Sequence, residues 1–261
     1  MPAEPSISFI KLAIIGGGLA GVTLANALAQ HDHIVVHVYE STPRLRERGA
    51  AVGLDVNAQN ALHHILPQAS KLLENAGGVP MNSTRSDPPQ DRSRPLTREL
   101  LEATLESSLD RAHTQGMIEF LLDQPPPKAY SEWEHKATPT YASSRVNIVG
   151  DTAHATTPWQ GSGAGLAIED AMILAALLAH VRSANEIEAA FQAFGDVRQP
   201  RCQKVIGSDG YHSCGRHSAA GLDPERLNEA LTTRLQHIHG LDHDTHKSEA
   251  LEKFEAYRET T

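Results

Sequence analysis

Lys11-Leu-Ala-Ile-Ile-Gly16-Gly-Gly18-Leu-Ala-Gly21, followed after a helical stretch by Ile34-Val-Val-His-Val-Tyr-Glu40, is the segment that decides the fold. Leu12 to Ile15 is a short apolar run ending in β-branched residues, and Gly16 to Gly21 spells GxGxxG. The order predicted is strand, tight turn, helix start. Gly16 permits the turn, Gly18 lets a pyrophosphate approach the backbone, and Gly21 lets helix and strand pack closely. The helix predicted from about Ala20 to Gln30 then offers its free N–H groups to phosphate. Ile34 to Val38 reads as a second buried strand. Glu40, 19 residues beyond Gly21, stands where a carboxylate accepts from both hydroxyls of an adenosine ribose. A dinucleotide site is the expectation, and the fingerprint alone leaves FAD and NAD open.

Bulk properties narrow the classes. The 261 residues suffice for one large domain or two small ones. Lys and Arg total 23 against 32 Asp and Glu, a formal charge of −9 with no dense basic run, so nucleic acid and anionic membrane surfaces are poor partners. The two cysteines, Cys202 and Cys214, fit a reducing compartment without a disulfide framework. Met1 to Phe9 lacks the basic flank and apolar core of a signal peptide. Ala171 to Ala179 is too short to span a bilayer and reads as a buried helix. The expectation is a cytoplasmic protein.

Beyond Glu40, the small residues of Gly49 to Leu54 would let backbone lie against a flat ligand, though periodicity alone favours a plain edge strand. Asn57 is the expected cap of a helix carrying Ala58, Ala61, Leu62, Ile65 and Leu66, which Pro67 ends. Residues 77–94 have loop composition. Thr97 is expected to cap a helix with Leu101, Leu105 and Leu109 on one stripe, and Arg98 in its first turn is electrostatically ill placed for a cation and either meets a phosphate or is simply solvated. Met117 to Leu122 is a brief strand candidate, and Gln124-Pro-Pro-Pro127 is an extended connector.

Val146 to Val149 reads as another buried strand ending at Gly150-Asp151, and Gly161-Ser-Gly-Ala-Gly165 opens a helix expected from Leu166 to about Val181. Asp151 is thereby a candidate acceptor for a polyol, and N–H groups near Ala164 present positive potential to a developing anion. Ile187 to Gly195 is helical, with continuation over Val197 to Ile206 after a break at Pro200. Asp223-Pro-Glu225 begins a helix bearing Leu227, Leu231 and Leu235. His237, His239, His243 and His246 near the end read as a solvated face, since Gly240 interrupts their helix and no carboxylate stands at fixed spacing; no metal is assigned.

Both ends together resemble the FAD-dependent aromatic hydroxylases, the class A flavoprotein monooxygenases typified by salicylate and p-hydroxybenzoate hydroxylases, and in particular their fungal salicylate-hydroxylase-like members of secondary metabolism. The residues that carry the resemblance are Gly16 to Gly21 with Glu40, Arg98-Glu-Leu-Leu, and above all Gly150-Asp-Thr-Ala-His-Ala-Thr-Thr-Pro158-Trp-Gln-Gly-Ser-Gly-Ala164-Gly-Leu-Ala-Ile-Glu-Asp170-Ala. The resemblance implies FAD as cofactor and NAD(P)H as co-substrate. It places Glu40 at the adenosine ribose, Gly53 in a segment touching the cofactor, Arg98 at the phosphates, Asp151 at the ribityl chain and Ala164 at the flavin ring. Pro158 would border the substrate side, and the reaction implied is hydroxylation of a small phenolic ring with dioxygen. No catalytic side chain is assigned.

The expected architecture is an α/β Rossmann-like FAD-binding domain with a parallel sheet, most of the substrate-binding sheet missing, and a helical C-terminal tail. The FAD-binding domain is expected over 1–200, interrupted at about 77–94 and 123–144 by remnants of the substrate domain, with a helical region over 201–261. The family's internal Asp-Gly motif is absent between the two halves. Ile206-Gly-Ser-Asp-Gly210-Tyr-His-Ser213 looks like it but follows the Gly-Asp helix in the wrong order, and Arg198-Gln-Pro-Arg201-Cys-Gln-Lys204 before it resembles the family's C-terminal helix. The competing expectations are a non-catalytic truncated remnant and a flavin-binding NAD(P)H oxidase or reductase.

Overall fold

The structure is a computed structural model and describes residues 9–43, 52–78, 135, 137–157, 161–208 and 236–260. The described residues belong to one compact unit that joins the chain before residue 79 to the chain after 131. The expected helix at Thr97, the strand at Met117 to Leu122, the connector Gln124 to Pro127 and the helix at Asp223 lie outside them.

The opening stretch folds as its periodicity requires. Strand β1 (Ile10–Ile15) leads through helix α1 (Leu19–Leu28) to strand β2 (Ile34–Tyr39). The strands pair in parallel with Ile10 opposite Ile34 and Ile15 opposite Tyr39, a geometry that needs the crossover helix between them. Only Ile34 of β2 is buried, not the whole strand as expected. Among the described residues this sheet has two strands, so nothing there covers the far half of β2.

Helix α2 (Val56–Ile65) is capped by Asp55, whose carboxylate accepts the Ala58 N–H at 2.7 Å. The expected cap, Asn57, instead sits inside the helix, buried, with its side-chain amide donating to Glu169. Aspartate and asparagine cap equally well, and a distant carboxylate decided between them. Pro67 ends the helix as expected, and α3 (Ala69–Asn75) follows.

Val146 to Val149 does not enter the parallel sheet. A two-residue strand β4 (Val146–Asn147) folds back antiparallel on β3 (Ala142–Ser143), and Val146 is 67% exposed. The turn between them holds Ser144 at φ +51°. Gly150 then precedes a four-residue helix α4 (Asp151–His154).

Helix α5 (Gly163–His180) is the centre of the molecule. It is apolar nearly all round, buried without a break from Gly165 to Ala175, and packed by α1, by α2, by α6 (Ile187–Ser208) and by α7 (His243–Thr260). Its length and composition would suffice to cross a membrane, but 72% of it is buried by these neighbours, which is how a core helix reads.

Helix α6 runs unbroken through Pro200, so the expected break is absent and the expected domain boundary after residue 200 falls inside a helix. Phe191, Phe194, Val197, Cys202 and Val205 are buried on one face while Pro200 is exposed on the other. Packing along that face compensates for the one hydrogen bond a proline removes. Helix α7 starts at Asp242, which accepts the Thr245 N–H at 3.0 Å, and buries His243, His246, Ala250 and Phe254 as one stripe. His243 and His246 are therefore core residues rather than part of a solvated face; His237 and His239 are exposed.

Candidate functional site

The glycine fingerprint closes on Glu40. Gly16 N–H donates to the Tyr39 carbonyl at 2.8 Å, and Gly17 N–H donates to Glu40 Oε2 at 2.8 Å. Thr42 N–H binds the other carboxylate oxygen at 2.8 Å. These donors, Gly17 first, hold the exposed Glu40 carboxyl down to about 2, so it is charged at any physiological pH. Oε1 also accepts from Ser41 Oγ at 3.3 Å, so it is Oε2 that keeps a second lone pair for a ligand hydroxyl.

Gly21 is forced by packing: a Cβ there would stand 2.2 Å from the Gly16 carbonyl oxygen. Gly18 is different, since a Cβ there meets nothing within 4 Å. Among the described residues, open space therefore lies in front of the α1 N-terminus, whose cap has no side-chain hydrogen bond and whose first turn holds no acid. The same is true of α5: no side-chain cap, no acid in the first turn. Helix α2, by contrast, has its orphan N–H groups met by Asp55.

Gly150 joins the two uncapped helix starts. It sits at φ +61°, and a Cβ on it would come within 3.0 Å of the Ala20 side chain in α1 and 3.8 Å of that of Ala167 in α5. Only glycine tolerates both that backbone and that approach. Asp151, exposed, leaves this junction as the first residue of α4. Ala164 lies half-buried in the first turn of α5. Beside it, the Asp55 carboxylate stands 3.5 Å from the position of a Cβ on Gly165, which brings the Gly53 to Asp55 segment against the same helix start. Among the described residues, a Cβ on Gly53 would meet nothing within 4 Å. Gly16, Gly18, Gly21 and Glu40 thus stand at the α1 start, Asp151 follows the Gly150 contact with α1 and α5, and Ala164 lies in the α5 first turn, while Arg98 and Pro158 lie outside the described residues.

A buried ionic network stands behind this junction, and sequence reasoning missed it. Arg198 is fully buried; its Nε donates to Asp170 Oδ1 at 2.8 Å and its Nη1 to Glu169 Oε2 at 2.7 Å. His154 Nε2 lies 2.6 Å from Asp170 Oδ2, and Arg201 reaches Glu169 Oε1 at 3.1 Å. Burial opposes charge on both carboxyls, but Arg198 outweighs it and holds each below the usual carboxylate range. Burial also opposes charge on His154, and the Asp170 carboxylate pushes it up to about 10. The signal was available: two adjacent acids within an apolar helical run must either face water or be paired.

His154, Asp170 and Cys202 put three metal-type ligand atoms within 4.8 Å of one another. Arg198 donates to Asp170 and lies 3.6 Å from Cys202 Sγ, so a guanidinium already supplies the positive charge there.

These residues fit a flavin dinucleotide: a glycine turn with, among the described residues, open space before a helix start without a side-chain cap, a carboxylate at its flank, and a second helix start reached through Gly150. Comparisons with known proteins agree. The family model described as FAD binding domain matches residues 77–209, and that of an NAD(P)-binding Rossmann-like domain matches 14–68. The 6-methylsalicylate 1-monooxygenase of Aspergillus terreus is 33% identical over 66% of this chain and 39% of its own length. An FAD-dependent monooxygenase of Stachybotrys chartarum is 34% identical over 56% of this chain and 32% of its own. The chain thus spans well under half the length of these curated relatives. A solved salicylate hydroxylase in complex with substrate has the same fold, with a TM-score of 0.63 at 18% identity over 94% of this chain and 98% of that one.

Proposed function

The chain belongs to the FAD binding domain family, and on that premise we propose that it is a monooxygenase of the salicylate hydroxylase type. It uses NAD(P)H and dioxygen to place a hydroxyl on a small phenolic ring, as fungal enzymes of secondary metabolism do by resemblance. The observation that carries the reading is Gly150, seated between Ala20 at the first uncapped helix start and Ala167 near the second. One extended ligand can touch both helix starts only if they meet.

In this reading Glu40 accepts from the adenosine ribose, and the α1 N-terminus with Arg98 takes the pyrophosphate. Asp151 accepts from the ribityl hydroxyls, Gly53 lets backbone approach, and the α5 N-terminus at Ala164 favours negative charge on the ring system. Pro158 borders the substrate. FAD, when bound, supplies the hydride acceptor and the oxygen chemistry that no side chain provides. The overall balance is one NAD(P)H, one proton, one dioxygen and one phenol giving NAD(P)+, water and the hydroxylated ring.

The test is direct. Protein purified with FAD is expected to stay yellow through desalting and to consume NADPH or NADH faster when a phenol is added, with hydroxylated product stoichiometric to the nucleotide. Loss of the flavin on desalting overturns the reading. Because the chain spans so little of its relatives' length, a second reading competes: an NAD(P)H oxidase, for which nucleotide consumption yields hydrogen peroxide alone.

A further inference from the structure

Asp151 is the acid that meets the ribityl hydroxyls in the proposed function, yet it lies exposed on a four-residue helix. So short a helix does not hold its own geometry. What holds it is a side chain from elsewhere. Asp170 Oδ2 accepts the backbone N–H of Gly150 at 2.8 Å, immediately before Asp151, and faces His154 Nε2 at 2.6 Å, at the helix's last residue. One carboxylate oxygen therefore grips both ends of the segment that presents Asp151.

The other oxygen ties this grip to the second helix start. Asp170 Oδ1 accepts from Arg198 Nε at 2.8 Å, and the same guanidinium donates through Nη2 to the Leu166 carbonyl at 3.2 Å, near the beginning of α5. Asp170, His154 and Arg198 are all essentially excluded from solvent. The other ring nitrogen of His154, Nδ1, is buried with no hydrogen-bond partner among the described residues, so the 2.6 Å contact with Asp170, beside the nearby Cys202 thiol, orients that imidazole. Apolar residues of similar volume would fill this space at little cost in stability. They would not direct bonds to both ends of α4.

We propose that Asp170 is a positioning residue of the cofactor site: it fixes the Gly150 turn and the His154 ring, and through them the place of Asp151 relative to the α5 N-terminus. This rests on the reading that FAD occupies the junction.

The experiment is a double-mutant cycle on FAD affinity, measured by quenching of flavin fluorescence, with Asp170→Asn, Asp151→Ala and the double variant. Asp170→Asn is expected to weaken FAD binding about tenfold when Asp151 is present and by less than about twofold when it is alanine. A purely structural role predicts the same loss in both backgrounds, and that result overturns the proposal. If thermal melts show that Asp170→Asn does not fold, His154→Gln is carried through the same cycle, with a several-fold loss expected in the Asp151 background alone. Wild-type protein that fails to retain FAD sinks the proposed function; retained FAD with equal losses sinks only the positioning role.

Discussion

Gly18 and Gly21 differ in what stands before their α-carbons, and the two substitutions should separate folding from binding. A methyl at Gly21 would stand 2.2 Å from a backbone oxygen, which cannot swing away as a side chain could. Gly21→Ala is expected to cost about 3 kcal/mol, the upper range for overpacking, visible as a lower urea midpoint with or without FAD. Gly18 has φ −73°, where alanine is unstrained, and no described residue lies within reach of its methyl. Gly18→Ala should leave stability within about 1 kcal/mol or raise it slightly, yet weaken FAD binding about tenfold because a pyrophosphate needs that space. Equal FAD affinity in Gly18→Ala and wild type would remove the phosphate from in front of α1.

At the scale of elements, Pro200 gives the clearest handle. It lies exposed inside α6, whose continuity through it is maintained by the buried face. Proline is disfavoured against alanine in a helix interior by about 3 kcal/mol, less where the backbone has adapted. Pro200→Ala should therefore raise stability by about 1 kcal/mol or more in urea unfolding, with FAD affinity unchanged; a lower midpoint would mean that the proline ring itself stabilises the helix. The same helix shows where sequence reading stops. The turn from Ile15 to Glu40 was legible because its chemistry is local: adjacent glycines, one crossover helix and one acid, with Glu40 reaching back to Gly17. Asn57 was misread because its partner, Glu169, lies 112 residues away. Val146 to Val149 looked like a buried strand because apolar runs carry no record of which sheet they join. Arg198 and the pair Glu169-Asp170 were quoted only as signature residues, since their pairing exists once α5 and α6 have packed.

At the scale of the whole molecule, the core holds, among the described residues, proton-linked terms of opposite sign, with His243 held down by burial on the same side as His246, so stability should peak near neutrality. His246 of α7 is kept neutral, its pKa brought down to about 4, by burial first and then by Arg198, with Arg201 and His243 acting the same way and Glu169 opposing them. Its Nε2 lies 3.3 Å from Arg198 Nη1 and serves as an acceptor only while unprotonated. Below about pH 6.5 the unfolded chain takes up a proton that the folded chain refuses, so stability falls as pH drops toward 4. His154 runs the other way. Its folded pKa is about 10 because Asp170 overcomes burial, so its contribution is complete below about pH 6.5 and is lost as pH rises through 10. At about 1.4 kcal/mol per unit, the two limbs are worth on the order of 3 kcal/mol or somewhat more each. Urea midpoints measured at about pH 5, 7 and 9 should describe a dome. His246→Asn should flatten its acid limb and His154→Gln its alkaline limb, each leaving the other slope in place. A dome that keeps both slopes in both variants would mean that neither histidine is the proton acceptor responsible.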